Sequence, residues 1–464
     1  MAARFVNIDH DTPLLLPPDL RQWVPADHLV HFIMDAVGEL DLRVARVNER
    51  GTGEAQYPPA MMLGLLIYSY ASGLFASRQI ERASHDSVAV RFLCADTHPD
   101  HDTICTFRRQ NAALLARSFA QVVELAARCG VLKVGALTVA IDGSKVLASA
   151  SKHAAVSYGH AGAQMQELDL EIAQLLAKAE QADSTPLEDG LSVPQEIERR
   201  VARQQKLAQA RAEMEARALV RLEAERAEHE REVAEREARR QAGQKHLGRP
   251  PKAPPPGPGA SAQVNFTDPE SRIMKAGSGD HFAQAYNAQA AVEVDSRLIV
   301  GQRVTNAPTD KQQLLPTLGS VVAEAGPLAQ VLVDSGFASE AAILAIEQDA
   351  QGAPTGIEVL TAWRREAHGR RVADLEKKSD PPPPGPGATF TQRLTHRVST
   401  RTGRARYKLR QQTVEPVFGI IKEALGFRRF SLRGLAKVNL EWTLVSLAYN
   451  LRRLHRLGVV LTTA

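Results

Sequence analysis

From about Gln164 to Gln244 the chain is rich in Ala, Glu, Arg and Gln, and its later part, ALVRLEAERAEHEREVAEREARRQ, holds no Gly or Pro. This reads as a long charged helix or a helical hairpin. Its apolar positions (Ile197, Val201, Leu207, Met214, Val220) keep no strict heptad, so a solvated lone helix and a coiled coil both stay open. A stretch of this kind cannot supply the core of a domain. Any sheet must therefore be assembled from runs on either side of it. Two proline tracts, PKAPPPGPG (251–259) and PPPPGPG (381–387), read as semi-rigid spacers between pieces.

Strand-like runs do flank the insertion. LTVAIDGSKV precedes it, and AYNAQAAVEV, RLIVGQRVT, AQVLVDSGF and GIEVLTA follow. Helices fit from Asp310 to Ala325 and from Ser339 to Gln348. With the insertion set aside, the order is three strands, helix, strand, helix, strand, helix. This predicts an α/β fold, a mixed sheet with flanking helices. The first 130 residues read differently: Pro58 and Pro59 open one apolar helix, Ser77 another, and Asp102 and Thr103 a third that ends at Gly130. This amino-terminal unit is all helical, and Arg108 and Arg109 at the head of its last helix suit either a helix-turn-helix-type DNA reader or the surface of an ordinary bundle.

With 464 residues there is room for two or three domains. Three cysteines and no apolar run near the roughly 18 residues that span a bilayer exclude a disulfide scaffold and a membrane protein. No basic segment followed by an apolar one opens the chain, so a cytoplasmic protein is expected, nucleoid-associated when on DNA. The net charge of +4 conceals a local excess: from Phe390 to Gly434, 11 Lys/Arg face two acids, Glu415 and Glu423. A field of that kind attracts a polyanion, whose released counterions supply affinity.

Asp142 and Asp334 each fall at or just beyond the end of an apolar strand, where a parallel sheet presents ligands to a crevice. Glu415 lies on a helix among Tyr407, Arg410, Lys422, Arg428 and Arg429. Each aspartate alone suits a turn, and Glu415 alone suits ion pairing. Together, three acids from two strand ends and one helix can hold two divalent ions that act on a phosphodiester, and hard oxygen ligands point to Mg²⁺ with Mn²⁺ as a substitute.

IDGSKV, LVDSGF and TVEPVFGIIKEALGFRRFSLRG resemble the three acid motifs of DDE transposases from bacterial insertion sequences, which have a ribonuclease-H-like core. The series Tyr407, Arg410, Glu415, Lys422 is similar to the family signature of tyrosine, two residues, arginine, three residues, glutamate, six residues, lysine. Here four residues separate Arg410 from Glu415. The resemblance extends to YPPAMMLGLLIYSYASGLFASRQIE, DHDTICTFRRQN and ASKHAAVSYG. It implies metal-dependent cleavage at the element's ends, followed by transfer of the 3′ ends to target DNA. Asp142, Asp334 and Glu415 would bind the metals. Tyr407, Arg410, Lys422, Arg428 and Arg429 would contact DNA near the reacting phosphate, and Arg108 and Arg109 the terminal repeats. The implied partners are terminal inverted repeats, target DNA and further copies of the chain, as a homodimer or a larger synaptic assembly.

The expected organisation is a helical DNA-binding domain over 1–133, a catalytic domain over 134–160 and 261–464, and the charged insertion with its linker over 161–260. A metal-dependent nuclease without strand transfer and an inactive DNA-binding scaffold are the competing functions. Cys94, His98, His101 and Cys105 match no usual zinc spacing and sit in a helix-capping turn. Trp363, followed by Arg364 and Arg365, could stack on an unpaired base or pack against the core.

Overall fold

The structure, a computed structural model, describes residues 19, 22–47, 56–133, 135–182, 192–241, 250–275, 282–363 and 379–461. It opens with six helices: α1 (Leu29–Gly38), α2 (Pro59–Ala71), α3 (Ser77–Asp86), α4 (Val88–Leu93), α5 (His101–Gln110) and α6 (Ala112–Arg128). Pro59 stands in the first turn of α2, where its missing N–H costs nothing. The single helix expected from Asp102 to Gly130 is two. Asp100 rather than Asp102 caps α5, accepting from the Thr103 N–H at 2.8 Å, and Asn111 breaks the run.

The second part contains β1 (Leu137–Leu147), β2 (Ala155–Ser157), α7 (Tyr158–Ala182), α8 (Val193–Gln241), β3 (Gln263–Asn265), β4 (Arg272–Lys275), β5 (Phe282–Glu293), β6 (Ile299–Thr305), α9 (Leu314–Leu318), β7 (Leu328–Val333), α10 (Glu340–Glu347), β8 (Glu358–Thr361), α11 (Phe390–Ser399) and α12 (Arg401–Gly419). A π-helical turn, Ile420–Ala424, follows, and α13 (Leu435–Arg456) closes the series. The helix expected from Asp310 to Ala325 shrinks to α9 and one 3₁₀ turn, because the chain beyond it bridges back to the sheet at Gly301 and Val321.

The main sheet has β1 at its centre. On one side β5 runs antiparallel to it, and β5's far edge carries β6 and, farther along, β4; on the other side β7 and then β8 run parallel. Three antiparallel strands continued by two parallel ones, with helices packed on them, form a mixed α/β architecture of ribonuclease-H-like kind. The insertion is a hairpin of α7 and α8. Its base has a small core of its own, in which Leu168, Leu207, Met214 and Val264 meet over the short β2–β3 pair, whereas Val220 farther out is exposed.

The main core is continuous from the amino-terminal helices through the sheet. Helix α13 makes it so. It is buried around its whole circumference and packs on α1, α2, α6 and β6. It also closes the free edge of β6: Asn450 accepts from the Ile299 N–H at 2.9 Å and donates to its carbonyl at 2.8 Å, and Asn439 accepts from the Val304 N–H at 2.8 Å. Among the described residues no helix is long and apolar enough to cross a membrane.

Candidate functional site

Strand β7 ends at Val333, level with Ile141, while β1 runs on to Leu147. Asp142 therefore stands within β1 and not at its end, as the sequence suggested. It occupies the place where the neighbouring strand gives out. Asp334, the residue after β7, lies beside it; its Oδ1 accepts from the Gly336 N–H at 2.7 Å. Asp142 Oδ1 accepts from the Gly143 N–H at 2.8 Å. Burial pushes the Asp142 carboxyl up to about 6, aided by the charge of Asp334; the Gly143 N–H and Arg410 pull it the other way.

Arg410, on α12, links this pair to the third acid. Its Nη1 is 3.5 Å from Asp142 Oδ2 and its Nη2 is 3.9 Å from Glu415 Oε1. The Arg410 side chain is 11% exposed and that of Glu415 is 55% exposed. Helical geometry explains the contrast: at 3.6 residues per turn, five positions carry Glu415 about 140° round the helix from Arg410, where four would carry it about 40°. The extra residue in the motif thus turns Glu415 away from the face that meets Asp142. Tyr407 lies under Arg410, whose guanidinium carbon is 6.0 Å from the ring centre.

The aspartates are hard oxygen donors on adjacent strands whose charges oppose each other, and this chemistry fits a divalent cation. Among the described residues no three acidic, His or Cys side chains are gathered closely enough to enclose an ion.

The remaining expected residues divide. Lys422 donates to the Lys145 carbonyl of β1 at 2.8 Å. Arg428 is exposed and paired with Glu423, Arg429 is exposed, and Arg109 is exposed on α5 with its nearest polar partner Thr106 at 3.2 Å. Arg108 requires a correction. It is buried, donating to the Tyr70 hydroxyl at 2.8 Å and the Phe75 carbonyl at 3.1 Å, so its guanidinium faces the core and offers nothing to DNA. A cation at position i of an amphipathic helix gives no sequence sign of which face it takes when its partner, Tyr70, lies 38 residues away.

The zinc arrangement does not form: Cys94 is buried, with its thiol pushed up to about 12 by that burial, His98 stacks on His85 with ring centres 3.9 Å apart, and His101 pairs with Glu81 at 2.9 Å. Trp363 is half-buried and edge-on to Phe390 at the border of the core; Arg364 and Arg365 lie outside the described residues.

One group went unread in the sequence. Asp310 Oδ1 accepts from Asn287 Nδ2 and Gln289 Nε2, both at 2.7 Å, and Lys145 Nζ is 3.7 Å from Asp310 Oδ2. Asn287 pairs across the sheet with Lys145, and Gln289 with Gly143, so all four share one face. Asn287 and Gln289, two amides at alternate positions of a strand that also buries Gln284 and Glu293, were the available signal. Gly143 makes room for them: a Cβ there would stand 2.6 Å from Asp310 Oδ1, 2.7 Å from Asn287 Oδ1 and closer still to Gln289 Nε2. Gly143→Ala is accordingly expected to destabilise the fold by about 1–3 kcal/mol, the usual cost of overpacking. Urea unfolding checks this, and an unchanged midpoint would mean that the amide cluster is loose.

Two family models match the chain. One, described as a Transposase DDE domain, covers residues 388–455, which include α11, α12, the π turn and most of α13; the other, described as Transposase domain (DUF772), covers residues 18–110, from before α1 to the end of α5. No curated protein and no solved structure matches the chain.

Proposed function

We propose, on the support of these two matches, that the chain is a DDE transposase of insertion-sequence type, and that it cuts DNA at the ends of its element and joins the freed 3′ ends to target DNA. The observation that carries this reading is the pairing of Asp142 with Asp334 at the point where β7 stops beside β1, with Arg410 reaching from them to Glu415.

In this reading Asp142 and Asp334 would hold divalent metal, Mg²⁺ or Mn²⁺, and Glu415 would complete the set for two ions. Such ions, when bound, act as Lewis acids on the phosphate and help to form the attacking hydroxide or alkoxide. The chain's own contribution is position and charge. The end of β7 leaves an open edge on β1 along which a phosphodiester can lie. Arg410, freed from the carboxylates as Glu415 turns inward, would meet a non-bridging phosphate oxygen, and Lys422, Tyr407, Arg428 and Arg429 would border the strand. Arg109 remains a candidate for contact with the terminal repeats. In the first reaction water forms a bond to phosphorus as the bond to the 3′-oxygen breaks; in the second the freed 3′-hydroxyl attacks a target phosphodiester, and one bond forms as another opens. Such joining calls for two element ends at once, which suits a dimer or a larger assembly.

The experiment is incubation of the full-length protein with DNA carrying the element's ends and a target, with Mg²⁺, Mn²⁺ or chelator. Nicks and joined products that need metal are expected. Nicks without joining would identify a nuclease, and binding without any product would identify a scaffold.

A further inference from the structure

Beyond Asp142 the open edge of β1 is not left bare to its end. The segment after the π turn lies against it: the Leu147 N–H donates to the Arg428 carbonyl at 3.1 Å and the Phe430 N–H to the Leu147 carbonyl at 2.8 Å, a parallel bridge that fixes Arg429 beside the strand. A pocket of about 610 Å³ opens there, lined by Arg429, Arg433, Lys152, His153, Ser149 and Gln284 among others, and among the described residues no acidic side chain lines it. The four basic residues are exposed.

Among the described residues no ion pair compensates the charges in this pocket. Elsewhere in the carboxy-terminal region Arg397 pairs with Glu347, Arg406 with Glu358, Arg410 with Asp142 and Glu415, and Arg428 with Glu423. Among the described residues Lys152, Arg429 and Arg433 have no carboxylate partner; Arg433 Nε donates to the Ser149 carbonyl at 2.9 Å, which holds its guanidinium at the rim. The acids on the adjoining turn face elsewhere. Asp268 accepts from the Tyr286 hydroxyl and the Gly434 N–H, and Glu270 from the Leu435 N–H. Three like charges directed into one concavity repel one another unless an anion is there to meet them.

The floor is also rigid. The Ala148 N–H donates to the Gln284 carbonyl at 2.9 Å, the Ser151 carbonyl accepts from Asn265 Nδ2 at 2.7 Å, and Ser151 caps the turn that carries Lys152 and His153. Leu147 is five residues from Asp142 on one strand, about 17 Å at the usual rise. Phosphates on one strand of a duplex recur every 3.4 Å or so along its axis, so this separation is about five base pairs.

We propose that this pocket is a DNA phosphate clamp, in which Arg429, Arg433 and Lys152 grip the backbone about five base pairs from the phosphate that lies at Asp142 and Asp334. The clamp rests on the reading of those aspartates as the reacting site for its distance, though not for its affinity. It would fix the register of the duplex without reading its sequence.

The test is the salt dependence of binding to a duplex of about 30 base pairs taken from the DNA flanking the protein's own reading frame, because each neutralised phosphate adds about 0.9 to the slope of log affinity against log salt. R429A/R433A is expected to lower that slope by about 2, and R429K/R433K to restore most of it, which separates loss of charge from loss of fold. Ethylating the phosphate about five base pairs from the cleavage point should weaken binding of the wild type and leave the double alanine variant indifferent. An unchanged slope in R429A/R433A would overturn the clamp even if cleavage were normal. A lowered slope in a protein that never cuts DNA would leave the clamp standing and remove the transposase chemistry instead.

Discussion

Asp142→Asn is expected to lower metal-dependent DNA cleavage by on the order of 10³-fold or more, since loss of a charge that holds a Lewis-acidic ion removes several kcal/mol of transition-state stabilisation. The fold should survive. An Asn side chain can still accept from the Gly143 N–H, and the buried charge that opposes Asp334 is gone. Asp142→Asn should therefore unfold no earlier than wild type in urea and still bind DNA. The measurement is a product time course with Mg²⁺ and with Mn²⁺, beside a binding isotherm. Cleavage within tenfold of wild type would take Asp142 out of the chemistry; a fall in DNA binding equal to the fall in cleavage would make it a binding residue only.

How much of this site was legible in the sequence follows from what fixes each part. The two aspartates were readable because an acid after an apolar run is a local pattern, and β1 and β7 do bring them together. The strand-like run LTVAIDGSKV already reached past Asp142 to Val146, but that β7 stops level with Ile141 and leaves Asp142 within β1 shows only in the pairing of the strands. The spacing between Arg410 and Glu415 was seen as a departure from the family signature, and its physical content is the rotation that leaves Glu415 facing solvent. The sequence places Asp310 at the start of a helix. Its partners, Asn287 and Gln289, are more than 20 residues away on β5, and only the register of β5 against β1 shows that they meet.

Arg108 was the clearest misreading, and it leads to the second large effect. Its guanidinium donates to the Tyr70 hydroxyl, which in turn donates to Glu441 Oε1 at 3.3 Å; Glu441 also accepts from the Ser431 and Leu432 N–H groups. Burial raises the Glu441 carboxyl above its ordinary range, while Arg108 and the two N–H groups act against that shift. Removing the cation alone strands a buried acid. Arg108→Met is expected to destabilise the protein by about 3–5 kcal/mol, whereas Arg108→Met with Glu441→Gln should recover most of it, because the pair disappears together. Urea unfolding of the two single variants and the double variant gives the coupling directly. If Arg108→Met kept full stability and lost affinity for DNA, the arginine would belong to the surface after all.

Helix α13 reaches every part that this network joins, and it follows all of them in the chain. During synthesis the amino-terminal helices and the sheet are both finished before the helix that covers them exists, so each waits with an apolar face exposed and β6 waits with a free edge. A polypeptide interrupted before Leu435 would have no settled crevice and no settled basic pocket, and would be material for chaperones and proteases. A settled fold thus arrives late and all at once, with the last long helix of the described residues.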